Sequence, residues 1–436
     1  VPRRTVGFVE GPKRLDVDDA RLLELESAAI AGHTLKMVVL EPGDAPIDVG
    51  RLRAHVDERL GPGSRGRQRV ALPEPHWVTD GAFDVAAHVR RRVGTAGIGQ
   101  RDAWTVAGQL MSERLDHRRP LWAFDLVGPL ADGREVVVAR IHHAMADGIS
   151  CLRFLDEALW ERSAGASSSS RRATGALGPG RGGGVEGHEL RRLPATLLRE
   201  LGHRARDSAL DREIGAAREL AVTTAPLAEL KAIGASRPGR ATVNDVLLAA
   251  VCGGLCAWLA AAGERVGRLR AQVPVSLHHR DESPAALGNR DSFLNVDLPL
   301  AEPDPLARLD RISGETAVGK AAGDAQELYD LFHALARCPP LARAVGRIAA
   351  GPHGFSLAIS NVPGPRTALT VAGRPVEGLY SVAEPAQRHA LRISAISYAG
   401  TVAVGVCTDP RVLPGVAGLA DAIGGTMAEL RRAAIG

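Results

Sequence analysis

The chain has 436 residues, 45% of them hydrophobic and 24% charged, a balance that excludes a disordered segment. Aromatic residues are only 3% and the net charge of +4 comes without a dense basic run. That excludes a base-stacking platform and gives no reason to expect nucleic acid as a partner. The length exceeds one ordinary core and predicts two domains.

In chain order, Thr34–Leu40 (T-L-K-M-V-V-L) predicts a strand, and Val49, Leu52, Val56 and Leu60 predict a helix over Asp48–Leu60. A further helix is expected over Asp102–Leu115. Leu121–Val127 and Glu135–Ile141 predict adjacent strands around the turn Ala131-Asp132-Gly133, and Ile149–Trp160 a helix. Ser163–Gly187 is rich in Gly, Ser and Arg and predicts a linker, dividing the chain into residues 1–162 and 188–436. Beyond it, Leu190–Leu220 is expected to be mostly helical. Val246–Ala262 carries no charge but falls short of the 20 or so strongly apolar residues of a membrane span, so a buried helix over Val243–Ala262 is expected, with Asn244 and Asp245 as its cap. Leu269–Leu277 predicts a strand whose Pro274 suggests an edge or bulge. Strands follow at Asn295–Leu300, Ser356–Val362, Leu391–Tyr398 and Thr401–Thr408, the last two joined by a turn at Tyr398-Ala399-Gly400. Helices are expected at Pro305–Lys320, Ala325–Ala336 and Val416–Ala434.

The lysines are Lys13, Lys36, Lys231 and Lys320, so the basic character is almost wholly arginine. The mild positive excess allows contact with anionic headgroups or a CoA-like polyphosphate. Five cysteines without a C-x-x-C pair fit a reducing compartment, and the N-terminal stretch has no apolar region of the signal-peptide kind, so a cytoplasmic location is expected.

The chemistry concentrates at Arg140–Ser150, R-I-H-H-A-M-A-D-G-I-S. A buried strand ends at His142-His143, and Asp147-Gly148 opens a helix. A rigid strand end holds a first shell well, and histidine is the usual general base. A metal site would need three or four ligands, and no third convergent group is marked beside His142, His143 and Asp147. The remaining alternative is a satisfied histidine pair with a capping Asp.

H-H-A-M-A-D-G resembles the active-site motif of the CoA-dependent acyltransferases, the superfamily of chloramphenicol acetyltransferase and the peptide-synthetase condensation domains. Further matches narrow the resemblance. Pro120-Leu121-Trp122, Asn244-Asp245-Val246-Leu247-Leu248-Ala249, Val273-Pro274-Val275-Ser276-Leu277 before Gly288-Asn289, Ser360-Asn361-Val362-Pro363-Gly364-Pro365 before Ala372-Gly373, and Ser397-Tyr398-Ala399-Gly400 occur in that order. The set resembles the bacterial wax ester synthase/acyl-CoA:diacylglycerol acyltransferase family from about Leu15 onward.

The resemblance implies an α/β (α+β) fold of two chloramphenicol-acetyltransferase-like subdomains, each a mixed sheet flanked by helices, with a tunnel between them. It implies O-acyl transfer from acyl-CoA to diacylglycerol or a long-chain alcohol, with no cofactor beyond the co-substrate and no covalent intermediate. His143 is then the base, Asp147 the structural acid with Arg67 as its candidate partner, and Asn244 a candidate oxyanion donor beside Asp245. His142, Gly148, Pro120, Trp122 and Asn361 line the substrate region. A lipid surface is a possible peripheral partner. Departures are the loose opening Leu15–Glu26, Gly32-His33 in place of a Met-His pair, and the added His278-His279; they bear on the acceptor. The competing expectations are a tailoring or condensation-like catalyst, and a non-catalytic lipid-binding protein.

Overall fold

The apolar run around Thr34–Leu40 becomes the centre of the first sheet. In this computed structural model, which describes residues 13–92, 97–162, 208–264, 268–276, 291–322 and 354–436, β2 (His33–Leu40) is buried along its whole length. It pairs antiparallel with β7 (Glu135–His142), also buried throughout, with His33 opposite His142. On its other side lies β14 (Arg374–Ala383). The seven-stranded order is β5-β6-β7-β2-β14-β13-β8, with β5 Val89–Arg91, β6 Trp122–Val127, β8 Glu161–Arg162 and β13 Leu369–Val371. Two of its strands, β13 and β14, come from beyond residue 188, so this sheet does not follow the chain-order division at Ser163–Gly187. The linker itself lies outside the described residues.

The second sheet has the order β11-β10-β12-β15-β16-β9, with β9 Glu219–Pro226, β10 Leu269–Ser276, β11 Asp291–Leu298, β12 Leu357–Val362, β15 Leu391–Tyr398 and β16 Thr401–Thr408. The turn between β15 and β16 uses Ala399 (φ 45°) and Gly400 (φ 90°), the left-handed pair that a two-residue hairpin requires. Pro274 is tolerated because the parallel pairing of β10 to β12 stops at Gln272, leaving β11 as its one neighbour there. A small third sheet joins β1 (Lys13–Arg14), β4 (His76–Thr79) and β3 (Gln68–Ala71).

Nine helices among the described residues cover these sheets: α1 Val17–Glu24, α2 Val49–Arg59, α3 Val85–His88, α4 Gln100–Ser112, α5 Gly148–Ala158, α6 Leu227–Ser236, α7 Val243–Ala261, α8 Pro305–Ala322 and α9 Val416–Ile435. Asp48 caps α2, and its Leu52 and Val56 are fully buried, which stabilises by roughly 1.5–3 kcal/mol each. α7 is long and apolar enough to cross a membrane by length and composition, and Asp245–Leu255 are buried against the second sheet and its helices. Its cap is Thr242, not Asn244 or Asp245: the Thr242 hydroxyl accepts from the Asp245 N–H, and the Asp245 carboxylate accepts from the Thr242 N–H.

The helix expected over Leu190–Leu220 is absent from its described part, Ser208–Leu220. Leu210 and Ile214 are buried at helical spacing, but Ile214 N–H donates to Gln387 and the Leu210 carbonyl accepts from Ala390. Tertiary hydrogen bonds hold that stretch in turns and irregular backbone, and Glu219 begins β9. The expected helix Ala325–Ala336 lies outside the described residues. The two sheets share packing: Ile396, Tyr398 and Ala403 of the second join the core formed by β2, β6, β7 and α5.

Candidate active site

Strand β7 ends at His142, and the next residues turn sharply. The Met145 and Ala146 N–H groups both donate back to the His142 carbonyl. Asp147 then caps α5, accepting from the Ser150 N–H at 2.7 Å. His143 is fixed from below, its N–H donating to the Gly32 carbonyl at 2.9 Å. Gly32 has φ +76°, and a Cβ there would lie 2.4 Å from His142 Nε2. Glycine at the place of the expected Met-His pair is therefore what lets the β2 entry pass under the histidines. Gly148 has a similar constraint: a Cβ would lie 2.9 Å from Val362 Cγ2 on β12. The motif thus sits where the first sheet, the start of α5 and the second sheet meet.

The two histidines have different surroundings. His142 is fully buried. Its Nδ1 accepts from the Ala144 N–H at 3.0 Å, so the neutral ring carries its proton on Nε2, which faces Glu26 Oε1 at 2.8 Å. Glu26 also binds His117 Nε2 at 2.5 Å and Arg114 Nε at 2.7 Å. Burial opposes the charge, yet these hydrogen bonds hold the Glu26 carboxyl well below the usual range. Glu26, His117 and His142 are the convergent group the sequence did not mark: their ligand atoms lie within 4.8 Å of one another. A cation on His142 Nε2 would demand an imidazolate, because Nδ1 is already occupied by Ala144, and Arg114 adds a competing positive charge. The cluster works as a clamp behind the motif. A second acid, Glu384, accepts from the Ala31 and Gly32 N–H groups at 2.9–3.0 Å and pairs with Arg218 at 3.0 Å. It fixes the same loop from the far end of β14.

His143 is partly accessible. Burial, then repulsion from Arg392, Lys36 and His142, pushes its pKa down to about 3, against a smaller pull from Asp147. The ring is neutral at physiological pH and its proton affinity lies below the near-neutral value expected of a base. Lys36 is buried on β2, donating to Thr34 Oγ1 at 3.2 Å and Ser381 Oγ at 2.9 Å.

The other predicted residues separate into neighbours of the motif and scaffold. Asn361 lies on β12 next to Val362, whose side chain meets Gly148, and the alternation of a strand turns Asn361 to the opposite face from that contact. Pro120 precedes the residue whose carbonyl, that of Leu121, accepts from the His142 N–H at 3.0 Å. Trp122 is 1% exposed, stacks on His88 at 4.5 Å, packs on Phe154 of α5 and donates from Nε1 to the Gly66 carbonyl at 2.8 Å. It supports the motif from within the core. Arg67 does not reach Asp147. Its guanidinium pairs with Asp57 at 2.7 Å, donates to the Leu60 carbonyl and covers the Phe83 ring, because the short turn Arg65–Arg67 aims it at the end of α2. Asp245 accepts from Thr316 of α8 at 2.7 Å as well as from the Thr242 cap of α7. Asn244 makes no hydrogen bond among the described residues. His278-His279 lie outside those residues.

Two family models match the sequence: the wax ester synthase/diacylglycerol acyltransferase catalytic domain over residues 15–178, and the C-terminal domain of the same group over residues 287–431. A Mycobacterium bovis relative named for diacylglycerol O-acyltransferase activity is 32% identical, covering 81% of this chain and 77% of the relative. The chain belongs to the wax ester synthase/diacylglycerol acyltransferase family. A Mycobacterium tuberculosis relative of the same name, tgs1, is 29% identical with 90% of each chain covered. The solved wax ester synthase/diacylglycerol acyltransferase of Marinobacter aquaeolei VT8 shares the fold at a TM-score of 0.72 and 24% identity, covering 97% of this chain and 99% of that one. The first condensation domain of the CDA synthetase follows at 0.59 and 16% identity. This acyltransferase therefore has the two-subdomain fold that its motifs implied.

Within the acyltransferase, four charged residues that touch or bias the motif carried no sequence signal of their own: Glu26, Glu384, Lys36 and Arg392. Each lies on a segment far from the motif in sequence. The nearest to a signal was Glu26, the last residue of the loose opening Leu15–Glu26. Lys36 stood out only as a cation inside an apolar strand.

Proposed function

We propose that this acyltransferase moves a fatty acyl group from acyl-CoA to the hydroxyl of diacylglycerol or a long-chain alcohol, with His143 as the general base. The observation that carries this reading is the place of His143, anchored through its backbone to Gly32 where both sheets and the start of α5 meet. His143 takes the acceptor's hydroxyl proton as its oxygen attacks the thioester carbonyl. The tetrahedral oxyanion collapses, the C–S bond breaks, and the imidazolium returns the proton to the CoA thiolate. No side-chain nucleophile is needed, and proximity in the cleft supplies much of the rate. His142, held by Glu26 and Ala144, positions the base without titrating itself at neutral pH. An acceptor this apolar is met at a lipid surface, and a chain of pI near 9.0 suits peripheral contact with anionic headgroups from the cytoplasm.

The experiment is release of CoA thiol from palmitoyl-CoA with diolein and with 1-hexadecanol, for the wild type and His143→Ala. Thiol release that depends on acceptor and is lost in the variant supports the proposal. Equal turnover by both proteins removes His143 from the chemistry.

A further inference from the structure

Lys36 places a positive charge where the fold offers it little. It lies mid-strand in β2, on the same face as Thr34, Val38 and Leu40. It is 2% exposed, and its two hydrogen-bond partners, Thr34 and Ser381, are neutral hydroxyls. No carboxylate among the described residues pairs with it, and one of its three N–H groups has no acceptor there. Thr34 itself donates to the Val382 carbonyl, so its oxygen is free to accept, and the contact draws the ammonium back toward Gly32, the residue that anchors His143. Arg392 of β15 adds a second cation to the same surroundings. Asp147 pulls the other way, and positive charge beside a base that must become an imidazolium opposes proton transfer, so negative charge arriving beside the unpaired Lys36 would favour it. Burial lowers the proton affinity of Lys36 too, and an arriving anion would restore it.

We propose that Lys36 is an anion-binding residue beside His143, placed to receive a negatively charged oxygen at the reacting end of the substrates. The inference rests on the reading of His143 as the base. That oxygen has two possible sources. One is the reaction itself: the acceptor oxygen bonds to the thioester carbon, the C=O pair moves onto oxygen, and the oxyanion lies against the ammonium until the C–S bond breaks. The other is a carboxylate or phosphate that the acceptor carries near its hydroxyl.

The experiment compares the wild type with Lys36→Met and Lys36→Gln, each checked by thermal melting. Turnover is measured with palmitoyl-CoA and 1-hexadecanol. Equilibrium binding is measured with 3-hydroxyhexadecanoate against its methyl ester. A fall in kcat of about 10²-fold with hexadecanol, at nearly constant KM, assigns the oxyanion of the reaction, since that is the usual effect of losing one such donor. A wild-type preference for the acid over the ester of about tenfold or more, lost in the variants, assigns an anionic acceptor. The acid–ester comparison on the wild type needs no variant to fold. Variants within about threefold of wild type on hexadecanol, together with equal binding of acid and ester, overturn the proposal. Absence of thiol release by the wild type with every acceptor counts against the acyl-transfer reading instead, and leaves the binding comparison as the judge of Lys36.

Discussion

Helices α5 and α7 begin alike and end up in different roles. At α5, Asp147 takes the Ser150 N–H; at α7, Thr242 and Asp245 cap each other's backbone. Both starts answer the same need, since the first turn of a helix leaves its N–H groups without partners. What surrounds them differs. The α5 start touches β12 through Gly148 and Val362 and follows directly from His143. The α7 start is tied to α8 by the Asp245–Thr316 hydrogen bond and belongs to the outer layer of the second core. Capping chemistry fixes where a helix begins, and the neighbours decide whether that end does anything more.

The largest effect on stability should come from beneath α5. Trp122→Ala removes a ring that packs on His88 and Phe154 and a bond to Gly66, and should cost about 3–5 kcal/mol, read from denaturant midpoints. A small loss would mean that Trp122 borders open space after all.

The α5 region should also make the protein acid-sensitive. Burial pushes His143 down to about 3 and His88 to about 4, and lowers His142 in the same direction. The unfolded chain takes these protons near pH 6.5, the folded chain only much lower. Stability is therefore present above that range and is lost as pH falls from about 6.5 toward 4. Thermal melts across that range should show the fall, and His88→Phe should reduce it. A flat profile contradicts the burial of these rings.

Asp147→Ala and Thr242→Ala sharpen the comparison of the two helix starts. Each should lose about 1 kcal/mol of capping. The first should also lose turnover per folded molecule, because it moves the residue that ends the His143 turn. The second should keep it. A matching loss of turnover in both would bring the α7 start into the site. The smallest effect is expected from Asn244→Ala, within a few-fold of wild-type kcat. A loss of about 10²-fold would make Asn244 the oxyanion donor that its family resemblance implied.

Much of the fold was legible because strong local patterns coincide with tertiary burial. β2, β7, β15, β16, α2 and α9 fall within a residue or two of the positions expected from their apolar spacing. β14 was missed because the register shifts between Val376 and Gly378, which breaks the alternation a strand is read by. The expected helix ending at Leu220 failed because Leu210 and Ile214 imitate its period while their backbone bonds to Gln387 and Ala390. At the site, the contiguous motif His142–Gly148 was visible. Its supports were not: Glu26, Glu384 and Lys36 reach it only through sheet pairing and the Gly32 turn, which no spacing rule encodes. Arg67 was misassigned for the same reason, since sequence proximity to a strand says nothing of where a long side chain aims.

The most direct measurement is the rate of thiol release by His143→Ala, with folding confirmed by an unchanged thermal midpoint. The account predicts a drop of about 10²- to 10⁴-fold in kcat with palmitoyl-CoA and either acceptor. A folded variant that turns over at the wild-type rate would contradict it.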